Sequence, residues 1–357
     1  MCGGPFPSAS LRREVRLHLP CLAVTVPSAN LRAVKSKIIT AVPVRNGEEF
    51  IQQTLEAIAR QTLRPDRVII FDNRSSDRTL DIARAFAGFE CEISIAGLEG
   101  QCMFTNFNRA LDFADQTDYL HILHADDTIS PKFYEIMTAA LAECDGRGLA
   151  WCLDERIDEK NAHLSYSGKA DGTVTVLDRD SFLQRKAEIG NQAFCATLMK
   201  TAGQPVPVRF PLDYPVLGDQ IFWAAYGAQC RQRVYVNQAL AQYRWHGTNN
   251  TTFLGPSLQS LVLDEWRTME TNEALRGRGM SWHRALKLKG LFAVRSGIKA
   301  KRIRQQGNAD YAQQIVRVTK EITGPWLWLA GQTLIEARDL YIYGILRHQR
   351  HPKNIYH

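Results

Sequence analysis

The sequence predicts an α/β protein whose mostly parallel sheet is flanked by helices and followed by a helical C-terminal appendage. Three observations predict it. Short apolar, β-branched runs alternate with amphipathic stretches from Lys37 onward, the pattern of a parallel-sheet domain. Polar clusters stand directly behind the expected strands, where open α/β sheets bind ligands. Beyond Pro256 the apolar spacing turns helical. At 357 residues, 45% apolar and 23% charged, the chain is long enough for one large domain and a smaller addition.

Residues 1–36 carry Pro, Ser and Arg and read as a loose N-terminal extension. Their apolar stretch, Leu19 to Val26, is broken by Pro20 and is too short to span a bilayer. Lys37–Val44 reads as a strand, Glu48–Arg60 as a helix with Ile51, Leu55 and Ile58 on one face, and Arg67–Phe71 as a second strand. A helix follows from Ser76, a strand over Cys91–Ala96, a helix over Phe104–Ala114 and a strand over Tyr119–His124. Ser130 and Pro131 are expected to open the next helix as cap and first residue. After Leu149–Leu153 the regularity loosens, with strands expected at Thr173–Leu177 and Ala193–Met199 and a helix at Gly218–Tyr226. The domain divides into halves at 37–150 and 151–255, and residues 256–357 form the helical region.

The 8 cysteines show no CxxC pair and no His/Cys cluster with zinc spacing, which argues against a disulfide framework or structural zinc and for reduced thiols in a cytoplasmic setting. The net charge of +7 is concentrated between Glu273 and Asp310, where ten cations and no acids occur. That stretch reads either as a solvated helix face or, with Leu286, Leu288, Leu291, Phe292, Val294 and Ile298 interleaved, as a surface for anionic lipid. Trp326–Leu346 is interrupted by Glu336, Arg338 and Asp339, so it is expected to be amphipathic rather than membrane-spanning. No nucleic-acid-binding motif accompanies the charge, and nucleic acid is not an expected partner.

The residues behind the first, second and fourth strands are Pro43-Val44-Arg45-Asn46-Gly47-Glu48, Asp72-Asn73-Arg74-Ser75-Ser76-Asp77 and His124-Ala125-Asp126-Asp127. Adjacent carboxylates repel one another unless a cation sits beside them, and a hard divalent ion with oxygen ligands meets that need. Such an ion completes its shell with substrate phosphates. In the other reading the two aspartates form a turn and cap the following helix. No GxGxxG, phosphate-binding lysine loop or Ser-His-Asp arrangement is visible, which weakens rival nucleotide folds.

Together, PVRNGEE, FDNRSSDRT and FNRALDFADQTDYLHILHADD resemble the family-two glycosyltransferases, over residues 37–250. The resemblance implies a GT-A fold, with residues 37–150 as the nucleotide-binding half and 151–255 as the acceptor half. It implies transfer of sugar from a nucleotide-sugar donor, UDP favoured, to a hydroxyl of a cell-surface or lipid-linked glycan, with inversion and with Mn2+ or Mg2+. Such a role in cell-envelope polysaccharide synthesis suits a cytoplasmic protein in peripheral contact with the inner face of an anionic membrane.

By the same resemblance Pro43 and Arg45 flank the base, and Asp72 and Asn73 line the nucleoside pocket. Arg45 stands where the family often has an aromatic residue, and Asn73 where it has a second aspartate, so other bases stay open. Asp126 would lie near the ribose and Asp127 would bind the metal. His124 replaces a first aspartate and either contacts phosphate or ends the strand. Asp219 would be the general base, or else a first-turn acid on the helix dipole; Gly218 stands before it where the family often has an acid. In the YRWHGT segment His246 would supply a metal or phosphate contact and Arg244 would offset diphosphate charge. The alternative roles of these two are a strand-end histidine and a surface ion-pair arginine. Two other functions remain: a nucleotidyltransferase of similar fold and a non-catalytic nucleic-acid-binding protein.

Overall fold

The computed structural model describes residues 24–27, 36–96, 102–189, 193–214, 216–246, 257–305 and 307–339. The first half contains β1 (Val24–Pro27), β2 (Ile38–Val44), α1 (Ile51–Ala59), β3 (Arg67–Asp72), α2 (Thr79–Ala85), β4 (Cys91–Ile95), α3 (Met103–Leu111), β5 (Tyr119–Ile122), β6 (Thr128–Ile129) and α4 (Phe133–Ala140). The second contains β7 (Gly148–Asp158), β8 (His163–Tyr166), β9 (Thr173–Leu177), α5 (Arg179–Ile189), β10 (Thr197–Lys200), α6 (Gly218–Gln229) and β11 (Gln232–Trp245). The C-terminal helices are α7 (Ser257–Arg276), α8 (Trp282–Gln305), α9 (Ala309–Thr323) and α10 (Pro325–Asp339).

One sheet runs β1-β9-β11-β7-β10-β5-β2-β3-β4, with β6 attached to β11 and β8 to β7. Parallel pairing holds through β4-β3-β2-β5 and again between β7 and β11, whereas β9 and β10 pair antiparallel with their neighbours. The sheet is therefore mixed, its parallel part concentrated in the first half. Within the stretch read as an N-terminal extension, β1 pairs antiparallel with β9 at the sheet edge.

All seven residues of β2 are buried because helices cover both faces. Ile38, Val42 and Val44 pack with Ile51, Leu55 and Ile58 of α1 and with Phe133 and Met137 of α4. Ile39 and Ala41 face the other way, toward Phe104 and Phe107 of α3 and Phe222 and Trp223 of α6. Pro43 fits this central strand because its pairing with β5 ends at Ala41 and Ile122. Ala41 O still accepts from Leu123 N; two residues on, the missing N–H of Pro43 faces the same side beyond the end of β5.

The buried His121 holds β5 in place. Its Nε2 donates to Cys195 O at 3.0 Å, and its Nδ1 accepts from the Tyr134 hydroxyl at 2.9 Å, which leaves Thr40 Oγ1 as donor to Tyr134 at 2.6 Å. Burial pushes the ring down to about 3, so it is neutral at physiological pH.

Ser130 and Pro131 do not open a helix as expected. Thr128 and Ile129 pair with β11 instead, Pro131 O accepts from Thr62 N, and α4 begins at Phe133 with no side-chain cap. Cross-strand pairing thus runs through Thr128 and Ile129 to the Ser130 N–H, which donates to Leu240 O, and the helix starts only after it.

The C-terminal helices build their own apolar core, including Val262, Trp266, Phe292, Ile315 and Val318, and extend it to Ala187 of α5 and Leu217 before α6. The cations of the basic stretch are partly matched. Arg276 binds Asp180 and Glu273, Arg284 binds Glu273, Lys299 binds Glu265 and Lys301 binds Asp339. No described helix is long and apolar enough to cross a membrane. Of the expected amphipathic stretch Trp326–Leu346, α10 covers the part to Asp339, and residues 340–346 lie outside the described residues.

Candidate functional site

The loops after β2 and β3 are joined into one edge. Asn73 N donates to Val44 O at 2.8 Å, Asn46 N to Ser75 Oγ at 2.9 Å, Gly47 N to Thr79 Oγ1 at 2.8 Å and Glu48 N to Asp77 Oδ2 at 3.0 Å. Asn46 and Arg74 have φ of 53° and 58°, a left-handed conformation that asparagine tolerates better than arginine. Gly47 is required by close approach, since a Cβ there would lie 2.7 Å from Val44 Cγ2. Pro43, Asp72 and Asn73 are buried at this edge, whereas Arg45 and Arg74 are exposed. Asp72 accepts the Ser75 N–H at 3.1 Å, an Asx-type turn that shapes the loop.

The two aspartates behind β5 have opposite environments. Asp126 keeps 29% of its side chain exposed, while Asp127 has 0%. Asp127 Oδ1 accepts from Arg244 N at 2.9 Å; its Oδ2, buried and lacking a hydrogen-bond partner, lies 3.8 Å from His124 Nδ1. Burial, reinforced by the neighbouring Asp126 charge, pushes the Asp127 carboxyl well above the usual range. Burial also acts to raise Asp126, but the bond from His246 and the nearby histidines hold it below its ordinary value.

His124 stacks on Phe194 and Phe107 with ring centroids 4.6 and 5.3 Å away. Burial lowers its pKa from the ordinary histidine value, and its Nε2 is buried without a partner. Donor atoms of His124, Asp126 and Asp127 all lie within 4.8 Å of one another. Orphaned nitrogen and oxygen atoms beside a partly exposed carboxylate fit a divalent cation or a phosphate-bearing ligand.

β11 returns to this turn. His246 Nε2 lies 3.0 Å from Asp126 Oδ2, with the ring tilted against Phe50 at 4.9 Å. Arg244 is wholly buried. Its guanidinium donates to Asp126 O at 2.8 Å, Asn161 Oδ1 at 2.7 Å and Gln53 Oε1 at 2.9 Å, and it lies over the Phe50 ring at 4.8 Å. These bonds make it a brace for the aspartate turn. Thr54 Oγ1 adds bonds to Ala125 O and Asp127 O at 2.9 and 2.8 Å.

Asp219 stands in the first turn of α6. Burial raises its carboxyl to about 6, against the opposing charge of Lys186. Its Oδ2 accepts from Gln220 Nε2 at 2.6 Å. Val216 N and Leu217 N donate to Asp264 of α7 at 3.0 and 3.2 Å, so the C-terminal helices fix where α6 begins. A Cβ at Gly218 would come within 2.7 Å of Phe104 Cε2. The buried ring therefore leaves room for glycine and not for an acidic side chain at this position.

The structure brings Asp126, Asp127, His124, Arg244 and His246 into one cluster, with the Pro43–Asn73 edge joined to it through Gly47, which approaches Ala125. Among the described residues Asp219 makes no hydrogen bond to that cluster; its side chain accepts from Gln220. Phe50, Gln53, Thr54 and Asn161 complete the cluster and carry no sequence signal, because each is recruited across the fold by Arg244, His246 or the turn carbonyls. Gly247 and Thr248 of the YRWHGT segment lie outside the described residues.

Residues 40–189 match the sequence model of the family described as Glycosyl transferase family 2. EpsH of Bacillus subtilis (strain 168), a protein assigned as a glycosyltransferase, is 28% identical over 96 residues, 27% of this chain. The match takes in only 28% of the length of EpsH. Among solved structures, S. aureus TarS in complex with UDP aligns with a TM-score of 0.51 at 14% identity, over 81% of this chain and 91% of that one. TarS in complex with UDP-GlcNAc aligns with a TM-score of 0.53 at 13% identity, over 78% and 90%. At that identity the likeness concerns the fold. Residues 40–189 thus carry the sequence pattern of the family-two glycosyl transferases, and the chain shares the GT-A-type fold of these structures.

Proposed function

We infer that the chain transfers a sugar from a nucleotide-sugar donor, UDP-sugar first, to a hydroxyl of a lipid-linked or cell-surface glycan, with inversion and a divalent cation. The observation that carries this is the partly exposed Asp126 carboxylate paired with His246 at the carboxyl edge of the sheet, where such folds bind ligands. TarS, of similar fold, has been solved with UDP and with UDP-GlcNAc, which makes these the first donors to test.

The partial exposure of Asp126 supports it, rather than the expected Asp127, as the cation ligand. Asp126 and His246 are the ligands for Mn2+ or Mg2+, with His124 beside them; Asp127, sealed from solvent, holds Arg244 and the turn. When bound, the cation offsets charge on the departing nucleoside diphosphate. Pro43, Arg45 and Asn73 line the nucleoside edge, shaped by the Asp72 turn. Asp219 takes the acceptor proton as the hydroxyl oxygen attacks the anomeric carbon. A thermal-shift panel of nucleoside diphosphates and their sugars, with and without Mn2+, tests donor and cation together. Absence of any Mn2+-dependent stabilisation by UDP or UDP-sugars would remove the reading.

Peripheral membrane contact rests on α10, where Trp326 is 82% exposed and Leu329 and Leu334 lie open on the same helix. Ion pairing of the basic stretch leaves apolar insertion as the larger contribution. Co-sedimentation with anionic vesicles that is unaffected by Trp326→Ser with Leu329→Ser would dismiss it.

A further inference from the structure

Lys186 stands on α5 with its side chain buried, and its ammonium donates to Gln220 Oε1 at 2.6 Å. A buried cation is unfavourable unless a charge within reach offsets it. The charged group that acts on it is Asp219. The two do not form a direct ion pair; Gln220 stands between them and donates from Nε2 to Asp219 Oδ2 at 2.6 Å.

An ammonium only donates and a carboxylate only accepts, so the amide between them has one workable orientation. Its oxygen must face Lys186 and its NH2 must face Asp219. One carboxylate oxygen is thereby occupied, and Oδ1 is left without a side-chain partner among the described residues. Burial raises Asp219 to about 6 while Lys186 opposes the rise, and burial lowers Lys186 to about 8 while Asp219 opposes the fall. The other acid near the start of α6, Asp264 of α7, is turned to the Val216 and Leu217 N–H groups.

We propose that Lys186 is a positioning residue: acting through the Gln220 amide, it anchors the Asp219 carboxylate by Oδ2 and presents Oδ1 to the acceptor hydroxyl. This rests on Asp219 being the base. In the step served, the hydroxyl proton passes to Oδ1 as the oxygen–anomeric carbon bond forms and the bond to the diphosphate breaks.

The test follows two resonances with pH in the full-length, isotope-labelled protein. These are the Asp219 carboxyl, identified by its loss in Asp219→Asn, and the Gln220 side-chain amide, identified by its loss in Gln220→Leu. The carboxyl is expected to titrate near about 6, with the amide shift following the same midpoint. In Lys186→Met the midpoint should rise by about one pH unit or more, while Lys186→Arg retains it. UDP release from UDP-GlcNAc should fall roughly ten- to a hundredfold in Lys186→Met at unchanged donor KM. Should Lys186→Met not fold, Gln220→Glu serves, since it still accepts from Lys186 but cannot donate to Asp219; its midpoint should rise as well. An unchanged midpoint in the folded variant overturns the positioning role even where Asp219→Asn is inactive. Full transfer by Asp219→Asn overturns both that role and the base assignment.

Discussion

The backbone N–H of Arg244 donates to Asp127 Oδ1 at 2.9 Å, joining the last strand of the sheet to the turn that carries both aspartates. The carboxylate that looks most like a ligand in the sequence thereby fastens two parts of the fold, while its neighbour stays partly exposed. Replacing Asp127 should separate these roles. Asp127→Ala leaves the Arg244 N–H buried and unpaired and should lower stability by about 2 kcal/mol, whereas Asp127→Asn keeps the acceptor and should be close to neutral in thermal melts. Asp126→Ala should leave the melting point of the free protein nearly unchanged and abolish the Mn2+-dependent increment with UDP.

Arg244 bonds Asp126 O, Asp158 O, Asn161 and Gln53 through a planar fork and lies over the Phe50 ring, which a lysine cannot reproduce. Arg244→Lys should lower stability by roughly 2–3 kcal/mol in chemical denaturation. A melting curve identical to that of the parent would show that the brace is dispensable.

Asp219 gives a pH signature. Its folded-state pKa is raised to about 6, so the stability it contributes is fully present below the ordinary carboxylate range and lost as pH rises through about 6. Asn mimics the protonated form. Asp219→Asn should therefore be more stable than the parent at pH 7, by roughly 2 kcal/mol after allowance for partial exposure, with the gap closing toward pH 4. Transfer should be abolished in the same variant.

His121 acts with the opposite sign. Burial depresses its folded-state pKa to about 3, so the unfolded chain takes up a proton that the folded one refuses as pH falls from the ordinary histidine range. Between pH 7 and 5 this should cost about 2 kcal/mol. Denaturation of His121→Gln across that interval should show a shallower acid limb than the parent.

Gly218→Ala should cost about 1–3 kcal/mol by forcing a methyl against the Phe104 ring. Combining it with Phe104→Leu should give less than additive loss, read from denaturation midpoints. Strict additivity would mean the ring is not the obstacle.

The parts legible in the sequence are those set by local periodicity. β9 spans the expected Thr173–Leu177, and α6 begins at the expected Gly218, because alternation and helical spacing act within a few residues. The Ser130-Pro131 cap fails because β6 gains ladder partners in β11, a pairing across more than a hundred residues that no local preference encodes. The difference in burial between Asp126 and Asp127 is not readable for the same reason. Which one is sealed depends on where a backbone N–H of β11 arrives, and a main-chain donor leaves no mark on residue type. Nothing in the sequence singles out Lys186, and only the fold places Gln220, with Asp219 beyond it, beside its ammonium. The basic stretch looked uniformly charged because its acids, Asp180, Glu265 and Asp339, come from outside it.

His246 reaches Asp126 from 120 positions further along the chain, on a strand that shifts register between Val236 and Ala241 before delivering it. During synthesis the aspartate turn leaves the ribosome long before its histidine does. The growing polypeptide thus carries the aspartate turn without its histidine partner until β11 enters the sheet between β7 and β9.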